Sequence, residues 1–341
     1  MSLVTPTRLS PPGLLRDSFG RTINNLRISV TDRCNFRCRY CMPEQGMTWL
    51  SKKQLLSYEE LARLARVFVS LGVKKIRLTG GEPLMRKDLH TLVGEIASIP
   101  GIEDIALTTN GYFLLEQAES LLRAGLRRIN VSLDSLDASV FNEVTRRDYY
   151  DRVWRGIEAA EQAGANPIKL NVVLLRGIND QEIGNFARLA QSKPYIVRFI
   201  EFMPIGSDDG WSAEKVVPTK EVIGRIEKEL GTRLIPVEMH GAQPADRYQP
   251  EDGGGEFGFI SSVSEPFCDH CNRVRITSDG KLRACLFALE ETDLKTLLRS
   301  GAAGEAIAEN IWETVWKKQE GHLINQPGFV RPVRTMSQIG G

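Results

Sequence analysis

The sequence predicts an α/β fold. Six strand–helix units would form a partial, TIM-type (βα)6 barrel, with a smaller α+β region after it. Three observations carry this reading. Between Asn25 and Met203, short runs rich in Val, Ile and Leu alternate with longer stretches whose apolar residues recur at helical spacing. Glycines such as Gly72, Gly125 and Gly164 punctuate the joints. Alternation of this kind implies a parallel sheet with helices outside, and six units fall short of the eight that close a barrel.

Residues 25–30, Asn-Leu-Arg-Ile-Ser-Val, alternate polar and apolar and read as the first strand. Arg27 is an unusual residue for a strand interior. Ser57-Tyr-Glu-Glu60 is a capping box, and Leu61, Leu64, Ala65 and Phe68 continue a helix that Gly72 stops. Strand 75–79 runs into Gly80-Gly-Glu-Pro83, and a helix follows from about 88 to 98. Strand 104–109, helix 114–124, strand 127–133, helices near 137–144 and 152–163, strand 168–174, helix 181–191 and strand 195–202 complete the series. A helix is expected from 219 to about 229, closed by Gly231. Residues 273–277 and 281–286 flank Ser278-Asp279-Gly280, a hairpin signal, and helices near 293–299 and 304–318 come after it. The tail from His322 reads as irregular. The expected division is a flexible extension over 1–20, the partial barrel over 21–231 and a C-terminal region over 232–341.

Composition excludes several classes. Of 341 residues, 42% are hydrophobic and 26% charged, which is ordinary globular composition. A net charge of +1 gives no field that would gather nucleic acid. No apolar run is long enough to span a bilayer, and the first twenty residues lack a secretory pattern. Six cysteines in a chain of this length suggest a reducing, cytoplasmic setting rather than a disulfide scaffold.

The cysteines fall into two trios. Cys34, Cys38 and Cys41 have the spacing C-x3-C-x2-C, directly after the first strand. A C-x2-C alone is often a zinc knuckle or a redox pair. Structural zinc wants four ligands, and a four-iron cluster also usually takes four cysteines. Three thiolates on one iron–sulfur cluster would leave one iron open for chemistry. Gly80-Gly-Glu-Pro83, with two glycines before the acid, is expected to leave bare backbone amides that an ammonium or carboxylate can approach. The trio, with aromatic Tyr40 before its last cysteine and Gly80-Gly-Glu-Pro83 downstream, resembles the radical S-adenosylmethionine (SAM) enzymes.

Cys268, Cys271 and Cys285 make the second trio, with zinc again the alternative reading. Between them lie Arg273 and Arg275, two residues apart and so on one face of a strand. Guanidinium forks bind phosphate in bidentate fashion. The two trios, the glycine motif, Cys271-Asn-Arg-Val-Arg275, Arg27 and the closing Gly340-Gly341 together resemble the GTP 3',8-cyclase family of molybdenum cofactor biosynthesis, from about residue 20 onward.

The resemblance implies roles residue by residue. Cys34, Cys38 and Cys41 would hold a 4Fe-4S cluster, and Tyr40, Gly81, Ser132 and Met203 would line SAM. Cys268, Cys271 and Cys285 would hold a second 4Fe-4S cluster whose open iron meets guanine. Arg27, Arg77, Thr108, Lys169, Arg273 and Arg275 would hold GTP, with Val274 contributing main chain. Gly340 and Gly341 would thread the catalytic cavity. The implied enzyme is a lyase. A 5'-deoxyadenosyl radical would take hydrogen from ribose C3', and the carbon radical would add to guanine C8. Implied partners are a flavodoxin- or ferredoxin-like electron donor and a downstream cyclic pyranopterin monophosphate synthase; a homodimer is compatible. Two rival readings are a radical SAM peptide maturase and a non-catalytic iron–sulfur carrier or zinc scaffold.

Overall fold

The computed structural model describes residues 14–205, 210–238 and 243–341. The expected extension over 1–13 lies outside these residues. Residues 14–20, expected to be loose, are anchored: Leu15 is buried and its amide donates to the Leu71 carbonyl at 2.8 Å.

The barrel strands are β1 (Asn25–Ser29), β2 (Lys75–Thr79), β3 (Asp104–Thr109), β4 (Arg128–Ser132), β5 (Ile168–Leu174) and β6 (Tyr195–Glu201). All pair in parallel in chain order, as the alternation requires. The first helix, α1 (Tyr58–Ser70), carries the expected capping box from Ser57 and Glu60. The others in this part are α2 (Leu89–Ala97), α3 (Leu114–Arg123), α4 (Ala138–Thr145), α5 (Tyr150–Gln162) and α6 (Ile183–Ser192), followed by α7 (Thr219–Leu230).

The sheet does not stop at six strands. The C-terminal region adds β7 (Leu234–Pro236), β8 (Asp246–Pro250), β9 (Glu256–Ile260), β10 (Arg273–Ile276), β11 (Lys281–Arg283) and β12 (Thr292–Asp293). Strand β10 runs parallel beside β1, and β9 parallel beside β6. The order of the 12-stranded sheet is β12-β11-β10-β1-β2-β3-β4-β5-β6-β9-β8-β7. The expected hairpin is β10–β11. Helices α8 (Leu294–Arg299) and α9 (Gly304–Trp316) follow it. The tail is not wholly irregular: Met336–Ile339 form a short helix, α10, with a capping box from Thr335 and Gln338.

Alternation decides which face does what. One face of each strand is apolar and buried, including Leu26, Ile28, Ile76, Leu78, Ile105, Leu107, Ile129 and Val131, and it joins the main core. The opposite face is polar and looks inward. Its residues Arg27, Arg77, Thr108, Ser132, Asn171, Arg198, Arg273 and Arg275 line one cavity. Among the described residues, no helix is long and apolar enough to cross a membrane.

Candidate active site

The first trio sits on the loop after β1. Phe36 pins this loop, its ring packing at 5.9 Å from Phe141 and 5.8 Å from Tyr149. The Cys41 amide donates to the Cys38 carbonyl at 3.0 Å, a tight turn that brings these two positions together. All three cysteines line the cavity and are free thiols. Burial pushes Cys34 and Cys41 up to about 12, and Cys38 up as well. A metal centre bound there would have to displace these thiol protons.

The glycine strip corrects one expectation. Its amides are not bare: Gly81 N donates to Thr31 O at 2.8 Å and Glu82 N to Arg33 O at 2.7 Å. The glycines instead let β2 run hard against the cysteine loop. A Cβ on Gly81 would lie 2.4 Å from the carbonyl oxygens of both Asp32 and Arg33. Gly81→Ala is therefore expected to cost at least about 1–3 kcal/mol and to unseat the loop. A thermal melt and iron analysis would check this, and an unchanged melting temperature with full iron would refute it.

Two carboxylates that sequence reasoning left without a role brace this end. Glu82 accepts from Thr109 Oγ1 at 2.7 Å, Asn110 N at 2.6 Å and Leu84 N at 2.9 Å; burial still pushes it up to about 7. Asp134 accepts from the Tyr40 hydroxyl at 2.7 Å and from Val173 N at 2.9 Å, with burial raising it to about 6. Asp134 thus fixes the aromatic ring that precedes Cys41. Its only sequence signal was its place just beyond a strand end.

The second trio faces the same cavity. Burial raises Cys268. At Cys271 burial also pushes upward, but the charges of Arg273 and Lys318 outweigh it and bring the thiol to about 6. Arg273 Nη2 lies 3.7 Å from Cys271 Sγ. Among the described residues, no group of three His, Cys, Asp or Glu is placed to hold a single metal ion.

Arginines fill the floor between the trios. Register places Arg77, Arg27 and Arg275 directly side by side across β2, β1 and β10. Arg77 Nη1 donates to Thr108 Oγ1 at 3.2 Å. Burial, then neighbouring arginines, lower Arg77 and Arg275 to about 9 and Arg198 to about 10. Arg27 falls well below its ordinary value, first through burial and then through Arg275, Arg273, Arg77 and Arg198. So many cations facing one space call for a polyanion there. Arg198 had no sequence signal, because it sits in an apolar-looking run.

Ser132, Met203, Tyr40 and Gly81 all line the cavity. Gly341 lines it, with Gly340 immediately before it in the chain. Arg275 Nη1 donates to the Gly340 carbonyl at 2.6 Å, and Thr79 Oγ1 to the Gly341 carbonyl at 2.7 Å. Three of the expected site residues, Gly340, Val274 and Lys169, lie off the cavity wall. Val274 faces the opposite way, fully buried in the main core, so its side chain contributes packing and only its main chain is near the site. Lys169 lies deeper along β5 than cavity-lining Asn171, its ammonium lowered to about 8 by burial and by Arg198.

Comparison with known proteins gives the chain's family. Residues 28–190 match the Radical SAM superfamily, and residues 195–324 match the family described as Molybdenum Cofactor Synthesis C. The chain is 47% identical over 328 residues to the GTP 3',8-cyclase of Thermodesulfovibrio yellowstonii, covering 96% of this chain and 100% of that one. It is 48% identical to that of Pelotomaculum thermopropionicum (96% and 100% covered) and 44% to that of Streptomyces coelicolor (96% and 96%). Among solved structures it resembles Streptococcus suis SuiB bound to precursor peptide SuiA, with TM-score 0.60 and 14% identity, covering 91% of this chain and 75% of that one. That likeness shows the fold alone. With relatives this similar along their whole lengths, the chain belongs to the GTP 3',8-cyclase family of radical SAM proteins.

Proposed function

We propose that this cavity converts GTP to 3',8-cyclo-7,8-dihydro-GTP, the opening step of molybdenum cofactor biosynthesis and a lyase reaction. One observation carries the reading: both thiol trios and the row Arg77–Arg27–Arg275 line a single cavity. Cys34, Cys38 and Cys41 suit the 4Fe-4S cluster of the radical SAM fold, each thiolate taking its own iron. Bound there, cluster and SAM would supply a 5'-deoxyadenosyl radical for hydrogen abstraction at ribose C3', one electron being spent on SAM cleavage and a second, with a proton, on closing C3' onto guanine C8 at the dihydro level.

The chain's own residues orient the reactants and exclude water. Tyr40, held by Asp134, with Gly81, Ser132 and Met203, forms the SAM side of the cavity. Cys268, Cys271 and Cys285 would hold a second 4Fe-4S cluster on the guanine side. Arg27, Arg77, Arg273 and Arg275 neutralise the triphosphate, with Thr108 fixing Arg77 and Lys169 adding charge below. The Gly340 carbonyl occupies Arg275, so the tail and the substrate address the same guanidinium. The electrons would come from a flavodoxin- or ferredoxin-like donor, and the product would pass to a cyclic pyranopterin monophosphate synthase.

The test is anaerobic incubation with GTP, SAM and a strong reductant, followed by mass analysis of the nucleotides. A cyclised product from the parent chain supports the reading; its absence refutes it. Arg273→Ala and Arg275→Ala are expected to lose cyclisation while uncoupled SAM cleavage survives. Each removes a charge-assisted contact worth about 1.5–3 kcal/mol.

A further inference from the structure

One buried cation has no task in this scheme. Lys318, just beyond α9, is only 2% exposed. Its ammonium donates to the Arg273 carbonyl at 3.1 Å and to the Ala284 carbonyl. Arg273 lies two residues after Cys271, and Ala284 immediately precedes Cys285. The lysine therefore ties together the two segments that carry the second trio, and it lines the cavity beside them.

Among the described residues, no carboxylate pairs with Lys318. Two carbonyls solvate an ammonium without neutralising it, and an uncompensated buried charge is costly. Arg21 provides the contrast. It clamps the same neighbourhood, donating to the carbonyls of Cys268 at 2.8 Å, Glu320 at 2.5 Å and Gln319 at 2.7 Å. Arg21 brings its own carboxylate, Asp17, at 2.6 Å, so that pair is neutral. Around the second trio, Arg21 gives mechanical support, while Lys318 leaves a full positive charge facing the thiols.

We propose that Lys318 is the counter-charge of an anionic iron–sulfur centre held by Cys268, Cys271 and Cys285, and that it sets that centre's reduction potential. The proposal rests on reading the second trio as a cluster site. A fixed positive charge favours the more negative, reduced state and raises the potential. Taking the charge away lowers it.

The experiment uses the full-length chain with Cys34, Cys38 and Cys41 replaced by serine, so that only the second centre contributes signal. Iron and sulfide are counted, and the midpoint potential is read by redox titration followed by electron paramagnetic resonance. Lys318→Gln keeps hydrogen-bond donors for the two carbonyls but removes the charge; Lys318→Arg keeps the charge. The expected result is a midpoint shifted to more negative values in Lys318→Gln and close to the parent in Lys318→Arg. Loss of iron from the glutamine variant alone, with its thermal melt unchanged, also supports the assignment. A glutamine variant with the parent's potential and iron content overturns the role of the lysine. A serine background with no iron–sulfur centre overturns the reading of the trio, and the proposal with it.

Discussion

Replacing Gly340 with alanine is expected to lower GTP cyclisation about a hundredfold while leaving the fold and iron content intact. Gly340 has φ +87°, a region L side chains rarely occupy. A Cβ there would lie 2.9 Å from Ser29 Cβ and 3.0 Å from Thr79 Cγ2, at the ends of β1 and β2. Those strand ends cannot yield, so the tail must. Backbone strain of about 1–3 kcal/mol plus overpacking of similar size gives roughly 3 kcal/mol, or a hundredfold in rate. The displaced carbonyl would leave Arg275. Gly341 is the internal control. A Cβ at Gly341 meets Met336 Cγ at 3.0 Å and Sδ at 3.2 Å, a flexible side chain that can move aside. Gly341→Ala should therefore be much milder. Product quantified by mass, beside a thermal melt, checks both. Parent-level cyclisation by Gly340→Ala would remove the tail from the active site.

Arg27→Met should move stability and affinity in opposite directions. The Arg27 guanidinium is buried among Arg275, Arg273, Arg77 and Arg198, and its Nε has no hydrogen-bond partner. Its pKa is lowered in the folded state, so the fold disfavours the charged form. Below the unfolded-state pKa, which covers all ordinary conditions, that charge costs stability. Methionine keeps much of the stem's volume and removes the repulsion, so the melting temperature of the unliganded chain is expected to rise. GTP affinity should fall about 10- to 150-fold, the loss of one charge-assisted phosphate contact at about 1.5–3 kcal/mol. The measurements are a thermal melt and anaerobic equilibrium dialysis with GTP. A lower melting temperature with unchanged GTP affinity would make Arg27 a structural residue. This is the stability–function conflict typical of binding sites built from like charges.

Much of the site was legible because its signals are local. Three cysteines within eight positions, or two arginines two apart on a strand, carry their meaning in the spacing. The six barrel strands were legible for the same reason: alternation survives in Leu26–Ile28 and Ile76–Leu78 whatever lies elsewhere in the chain. What stayed hidden depends on distant partners. Arg198 faces the cavity only because register with β5 and β9 turns it inward. Asp134 matters through Tyr40, far behind it in the chain, and Lys318 through two carbonyls that a hairpin brings together. Strand β9 was obscured by the adjoining Gly253–Gly255 and by its own Gly258, whose Cβ would crowd Arg198 Cγ at 3.1 Å. Helix α10 is too short to show periodicity. It forms because the tail is anchored ahead of it, Arg334 pairing with Asp279 at 2.9 Å and with Glu291 at 2.7 Å.

The placement of β9 and β10 bears on how the molecule is made. Strands β1 to β6 leave the ribosome first, and until the later strands emerge both flanks of that growing sheet show unpaired main chain. Bare flanks of this kind invite a strand from any neighbouring copy. Asn25 finds its partner Arg273 only when most of the polypeptide has been synthesised, so the nascent chain passes through a long interval in which self-association competes with completion.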